Sequence, residues 1–63
     1  MVEYLPGRVV AATHDEALDR VIERIKKQGF LPGGNIRIYP ARVQPLPGAI
    51  WFEFYAEVFR CGP

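Results

Sequence analysis

Near the end of the chain, the stretch Ile50 to Arg60 reads Ile-Trp-Phe-Glu-Phe-Tyr-Ala-Glu-Val-Phe-Arg and is apolar or aromatic on both faces of any strand it forms. Side chains alternate across a strand. Ile50, Phe52, Phe54, Ala56 and Val58 therefore share one face, and Trp51, Glu53, Tyr55, Glu57 and Phe59 share the other. The first set makes a core face. The second mixes large aromatics with two acids. A chain of 63 residues has length for only one helix over a sheet. The second face therefore needs a different cover: another copy of the chain, another protein or a ligand.

The length sets one domain as the ceiling. A domain this small buries only about 60% of the surface its unfolded chain exposes, so its stability is marginal. Small scaffolds make up the deficit with disulfides, a metal or oligomerisation. Cys61 is the only cysteine, which excludes an internal disulfide, and His14 is the only histidine. Association is the route left. A hydrophobic fraction of 49% and an aromatic fraction of 13% belong to a folded domain. A net charge of +1 gives no bulk attraction to nucleic acid or membrane. No apolar run approaches the roughly 20 residues that span a bilayer. Met1-Val2-Glu3-Tyr4-Leu5 lacks the basic-then-apolar plan of a signal peptide. With a lone cysteine, the expected compartment is cytoplasmic.

The helix is marked at both ends. Thr13 is a good N-cap, and Glu16 completes a capping box, with Ala12 and Ala17 at the staple positions. Asp15 and Glu16 suit the positive end of the helix dipole, and Lys26 and Lys27 the negative end. Gly29 is placed for the left-handed C′ position, from which Phe30 folds back onto Ile25. Ala17, Leu18, Val21, Ile22 and Ile25 form the apolar stripe. Glu16 to Arg20 and Glu23 to Lys27 are i,i+4 pairs in the favourable order. These signals predict a helix over His14 to Gln28.

Three Leu-Pro-Gly tripeptides, at 5–7, 31–33 and 46–48, read as turn chemistry used three times. Arg8 to Ala12 is expected as a short first strand, extended by Val2 to Leu5 across a kink at Pro6-Gly7. Asn35 to Tyr39 alternates as a second strand. Pro40 marks it as an edge or a bulge, and Ala41-Arg42-Val43 is a candidate continuation. The expected fold is α+β, a β-α-β-β chain with one helix on a three-stranded, mostly antiparallel sheet. Placing the last strand centrally, in order 1-3-2, makes every pairing antiparallel. The alternative sets the first strand parallel beside the second through a right-handed crossover. A hairpin centred on Leu46 puts Ile38 opposite Phe54 and Ile36 opposite Ala56 on the helix side. It puts Tyr39 opposite Glu53, Arg37 opposite Tyr55 and Ala41 opposite Trp51 on the other.

Catalytic constellations are scarce. The chain has no serine. A nucleophilic thiol needs a built environment, so Cys61 reads as inert, with an intermolecular disulfide on oxidation as its side reaction. His14, Asp15 and Glu16 are too sparse for a metal site. Glu53 and Glu57 stand about 13 Å apart along a strand, too far for a retaining carboxylate pair, and cross-strand partnership with arginine or tyrosine is the simpler reading. Leu31-Pro32-Gly33-Gly34-Asn35 precedes a strand rather than a helix, so it reads as a flexible lead-in and not as a phosphate cradle. Neither an enzymatic role nor a cofactor is expected.

The open face remains, with Arg37, Tyr39, Trp51, Glu53, Tyr55, Glu57 and Phe59 as candidate contact residues. Aromatics on a sheet can stack unpaired bases or a flat ligand. Glu53 and Glu57 would repel phosphates, whereas interface cores favour Trp, Tyr, Phe and Arg. The acids could then pair with arginines of a partner. The expected partner is therefore the chain itself, as a dimer or higher oligomer, or another protein, in the manner of a small regulatory or phage-type inhibitor. A flat aromatic ligand or single-stranded nucleic acid is the alternative. The order of elements and the length are similar to those of dodecins, small flavin-binding shell proteins. Dodecins carry a tryptophan in the strand after the helix. Here that strand reads Ile36-Arg37-Ile38-Tyr39 and Trp51 opens the next, so no binding residue carries over.

Overall fold

The structure is a computed structural model and describes residues 2–44, 47 and 50–60. Its elements are β1 (Glu3–Ala11), α1 (His14–Lys27), β2 (Phe30–Pro40) and β3 (Ile50–Arg60). The sheet order is β1-β3-β2, and both pairings are antiparallel. The most apolar strand is thus central, with α1 against one face. The parallel crossover arrangement does not occur.

The helix begins and ends where its caps put it. Thr13 Oγ1 accepts the Glu16 N–H at 3.2 Å. At the other end Gly29 takes φ +84°, and its N–H reaches the Lys26 carbonyl at 3.0 Å. That bond is one arm of the Schellman arrangement. Phe30 packs against the core cluster that contains Ile25. Ala17, Val21 and Ile25 are fully buried, while Leu18 and Ile22 flank them half-buried. The Glu16–Arg20 pair closes at 2.9 Å. The expected Glu23–Lys27 pair is not among the ion pairs of the described residues.

Register follows the hydrophobic pattern. Ile36 lies opposite Ala56, Arg37 opposite Tyr55, Ile38 opposite Phe54 and Tyr39 opposite Glu53. The Ala41 N–H donates to the Trp51 carbonyl at 2.7 Å. Val9, Ala11, Phe52, Phe54, Ala56 and Val58 meet the helix stripe in one buried cluster. Ile50 departs from the expected core set, being 39% exposed at the end of the sheet. The hairpin centre at Leu46 and the third Leu-Pro-Gly tripeptide fall largely outside the described residues, as does Cys61.

Both strands flanking β3 are longer than the turn reading allows. β1 runs without a break through Pro6-Gly7, and β2 begins at Phe30 rather than Asn35. Ala41-Arg42-Val43 does not extend it. In these strands the glycines serve close approach instead of turning. A Cβ on Gly7 would lie 2.6 Å from the tip of the Phe54 ring, and one on Gly33 would overlap the Glu57 side chain. Between the Pro32–Val58 and Ile36–Ala56 pairs, β2 has three residues, Gly33, Gly34 and Asn35, where β3 has only Glu57. This bulge replaces the expected flexible lead-in.

The prolines fit because β1 and β2 are edges. Backbone groups of alternate residues point to opposite sides of an antiparallel strand. Ala41 faces Trp51, so Pro40 and Ile38 face outward, and the odd residues of β3 turn toward β2. Its even residues then serve β1, which leaves Tyr4, Pro6, Arg8 and Val10 of β1 facing outward. Two outward carbonyls are covered by side chains from α1. Arg24 Nη1 donates to the Arg8 carbonyl at 2.8 Å, and His14 Nε2 lies 3.3 Å from that of Ile38. Each edge thus combines a missing N–H with a capped carbonyl.

A 14-residue helix is about 21 Å long, against about 36 Å for an 11-residue strand. The sheet end that α1 does not reach is closed by Arg60. Its guanidinium lies 5.6 Å over the Phe30 ring and pairs with Glu3 at 2.8 Å. No helix among the described residues is long and apolar enough to cross a membrane.

Candidate functional site

The face of the sheet opposite α1 carries all seven candidate residues: Arg37 and Tyr39 from β2, and Trp51, Glu53, Tyr55, Glu57 and Phe59 from β3. The alternation that buries Phe52, Phe54, Ala56 and Val58 forces the intervening residues outward. Because β1 runs without the expected kink at Pro6-Gly7, it adds Tyr4, Pro6, Arg8 and Val10 to the same face. The early start of β2 adds Leu31. The missed signal was alternation itself: Tyr4, Pro6, Arg8 and Val10 share one parity, and the Pro-Gly pair in the middle masked it.

Register arranges these groups in rows. Val10 lies beside Trp51, Pro6 and Arg37 flank Tyr55, and Leu31 lies beside Phe59. In the row between the first two, Arg8 and Tyr39 flank Glu53. Tyr4 and Tyr55 stack with ring centroids 5.0 Å apart and planes parallel to 1°. The Arg8 guanidinium sits 5.6 Å from the Trp51 ring centre and 3.3 Å from Glu53 Oε1. One arginine thus bridges a ring and a carboxylate.

The two acids have partners within the chain. Glu53 is held by Arg8. Glu57 Oε1 accepts the Gly34 N–H at 3.0 Å, and Oε2 accepts from Asn35 Nδ2 at 3.4 Å. Glu57 therefore supplies acceptors to the bulge, whose backbone has lost its ladder partner. The cross-strand partnership with arginine expected of these acids occurs at Glu53, whereas Glu57 is held by the bulge of β2, so neither carboxylate waits for an arginine from elsewhere.

Trp51 is anchored by a group that the sequence pattern does not single out. Gln44 Oε1 accepts the Trp51 N–H at 2.8 Å, and Gln44 Nε2 donates to the Trp51 carbonyl at 3.2 Å and to that of Ala41 at 2.8 Å. Its amide stands in for a peptide unit and continues the ladder where β2 has ended.

The face is open and shallow. One depression of about 470 Å³ is lined by Pro6, Arg8, Tyr39, Glu53 and Tyr55, and a second of about 390 Å³ by Tyr4, Asn35, Arg37 and Tyr55. Tyr4, Tyr39, Tyr55, Phe59, Leu31 and Val10 are each 41–51% exposed. Its charged groups, Arg8, Arg37, Glu53 and Glu57, cancel. A separate cleft between α1 and β1 is lined by Arg20, Glu23, Arg24 and Lys27. There Arg20 is bound to Glu16 and Arg24 to the Arg8 carbonyl, so its cations do not converge on a ligand. No group of three metal-ligating side chains gathers among the described residues.

No family model, no curated protein and no solved structure matches the chain. The likeness to dodecins stays at the order of elements.

Proposed function

We propose that the chain is a non-enzymatic interaction module that associates with protein through the open face of its sheet. The observation that carries this reading is the row of half-exposed aromatic and aliphatic side chains running from Val10 and Trp51 to Leu31 and Phe59, opposite the face that α1 packs against. Contiguous apolar patches of this kind on small proteins mark contact surfaces. Aromatics with arginine are the composition of interface cores. The charges cancel within the patch, so the surface lacks the positive groove that tracks a phosphate backbone. Both acids are already hydrogen-bonded, so burying them leaves fewer unsatisfied oxygens.

Stacking of a flat ligand or of unpaired bases uses the same rings. The parallel Tyr4–Tyr55 pair is the one feature that favours it. Titration with flavins, nucleotides and oligonucleotides while Trp51 emission is recorded separates the two readings. Unchanged emission in every titration is expected. Saturable quenching by one of these compounds would replace protein association with ligand binding.

A further inference from the structure

Resting on the reading of the open face as a protein-binding surface, we infer that its occupant is a second copy of this chain, packed face to face about a two-fold axis that passes beside Tyr55. Three features lead there. The edges are closed to strand addition by Pro6 and Pro40 and by the capped carbonyls of Arg8 and Ile38, so growth of the sheet sideways is blocked. Stacking of one sheet on another is the packing left.

Size is the second feature. Three strands about 4.8 Å apart and about 36 Å long present a flat footprint of about 500 Å², which side-chain relief enlarges. A standard interface takes about 600–1,000 Å² from each partner. Nearly the whole face must therefore be used, and a copy of the same face matches it in length and width.

The third feature is self-complementarity. Tyr55 is the sixth of the eleven residues of the central strand, so a two-fold that superposes the patch on itself brings Tyr55 to its own copy. An axis across the strands would also bring Arg37 against Arg37. An axis along them sets Arg37 over the β1 side of the second copy, beside Pro6 and the Tyr4 ring, where a cation is favoured, and it brings Glu53 and Glu57 to their own copies, where Arg8, Gly34 and Asn35 already hold the carboxylates. Either axis keeps the strands of the two sheets aligned, as sandwiches pack them, and the contacts of Arg37 favour the one along the strands. A patch of zero net charge, with Arg8, Glu53 and Glu57 already bonded within the chain, carries no net repulsion against itself.

Light scattering coupled to size exclusion, from micromolar to millimolar protein, tests the inference. The wild-type mass is expected to rise from 7.2 kDa to twice that value. Tyr55→Glu and Tyr55→Arg should each weaken the dimer by roughly 30-fold or more, as loss of a hot-spot aromatic does. Circular dichroism should be unchanged, because Tyr55 is 46% exposed. Mixing the two variants should restore the dimer, since the opposite charges meet at the axis. A wild-type mass of 7.2 kDa at millimolar concentration overturns the second copy as occupant and leaves the face open to another protein. A dimer that survives both variants overturns the use of this face as well. Two monomeric variants that stay monomeric when mixed overturn the axis.

Discussion

At the scale of single residues, the glycines and acids of the sheet act through β3. Gly7 leaves the space that the Phe54 ring occupies on the core side. Phe54 is 2% exposed and cannot swing aside. Gly7→Ala should therefore destabilise by about 1–3 kcal/mol, the usual penalty of overpacking, read as a lower urea midpoint with unchanged slope. On the other face, Gly33 and Glu57 are coupled. Glu57→Ala should cost about 1–2 kcal/mol, because the Gly34 N–H loses its acceptor. Gly33→Ala should be harmful in the wild type and tolerated when Glu57 is already alanine. A double-mutant cycle with no coupling energy would contradict the contact. Neither role is legible in the sequence. Leu-Pro-Gly favours a turn by local propensity, and only the tertiary neighbours Phe54 and Glu57 reveal why glycine is needed in a strand.

At the scale of elements, α1 is the part whose sequence and structure agree most closely. Its caps, stripe and one of its two ion pairs all occur at the positions that local chemistry dictates. Thr13→Ala should lower stability by about 1 kcal/mol in denaturant titrations. The bond from Arg20 to the Glu16 carboxyl holds its pKa below the usual 4.5, aided by the Ala12 backbone and opposed by partial desolvation. A carboxyl depressed in the folded state stabilises above its unfolded value. That contribution should be lost as pH falls below about 4.5 and through the folded value. Glu16→Gln should flatten the acid limb of the stability profile there and leave stability near neutral pH little changed in its pH slope. β3 is equally readable, because strict alternation fixes both its faces and its register. β1 and β2 are readable only in part. Their prolines argue against strands in general, yet both are edges, where a missing N–H faces outward.

At the scale of the whole molecule, one helix on three strands leaves one sheet face without a cover among the described residues. Of the candidate face, the seven residues on β2 and β3 are legible from alternation and the assumed hairpin. Cross-strand pairing of the acids is legible too, but its particular partners are not: Tyr4 and Arg8 join the face because β1 runs unbroken through Pro6-Gly7, and Glu57 is held by the bulge of β2. With both acids held within the chain, the face is aromatic and carries no net charge. Linkage gives one consequence: if copies associate, the melting temperature should rise with protein concentration. It should become independent of concentration in Tyr55→Glu.

Trp51 is the sole tryptophan and lies on the open face, so it reports directly on whether that face becomes covered. Acrylamide quenching of its emission should weaken as protein concentration rises through the association range. Quenching that stays equally strong up to millimolar protein, and on addition of any protein that the chain captures, would contradict the open face as the contact surface.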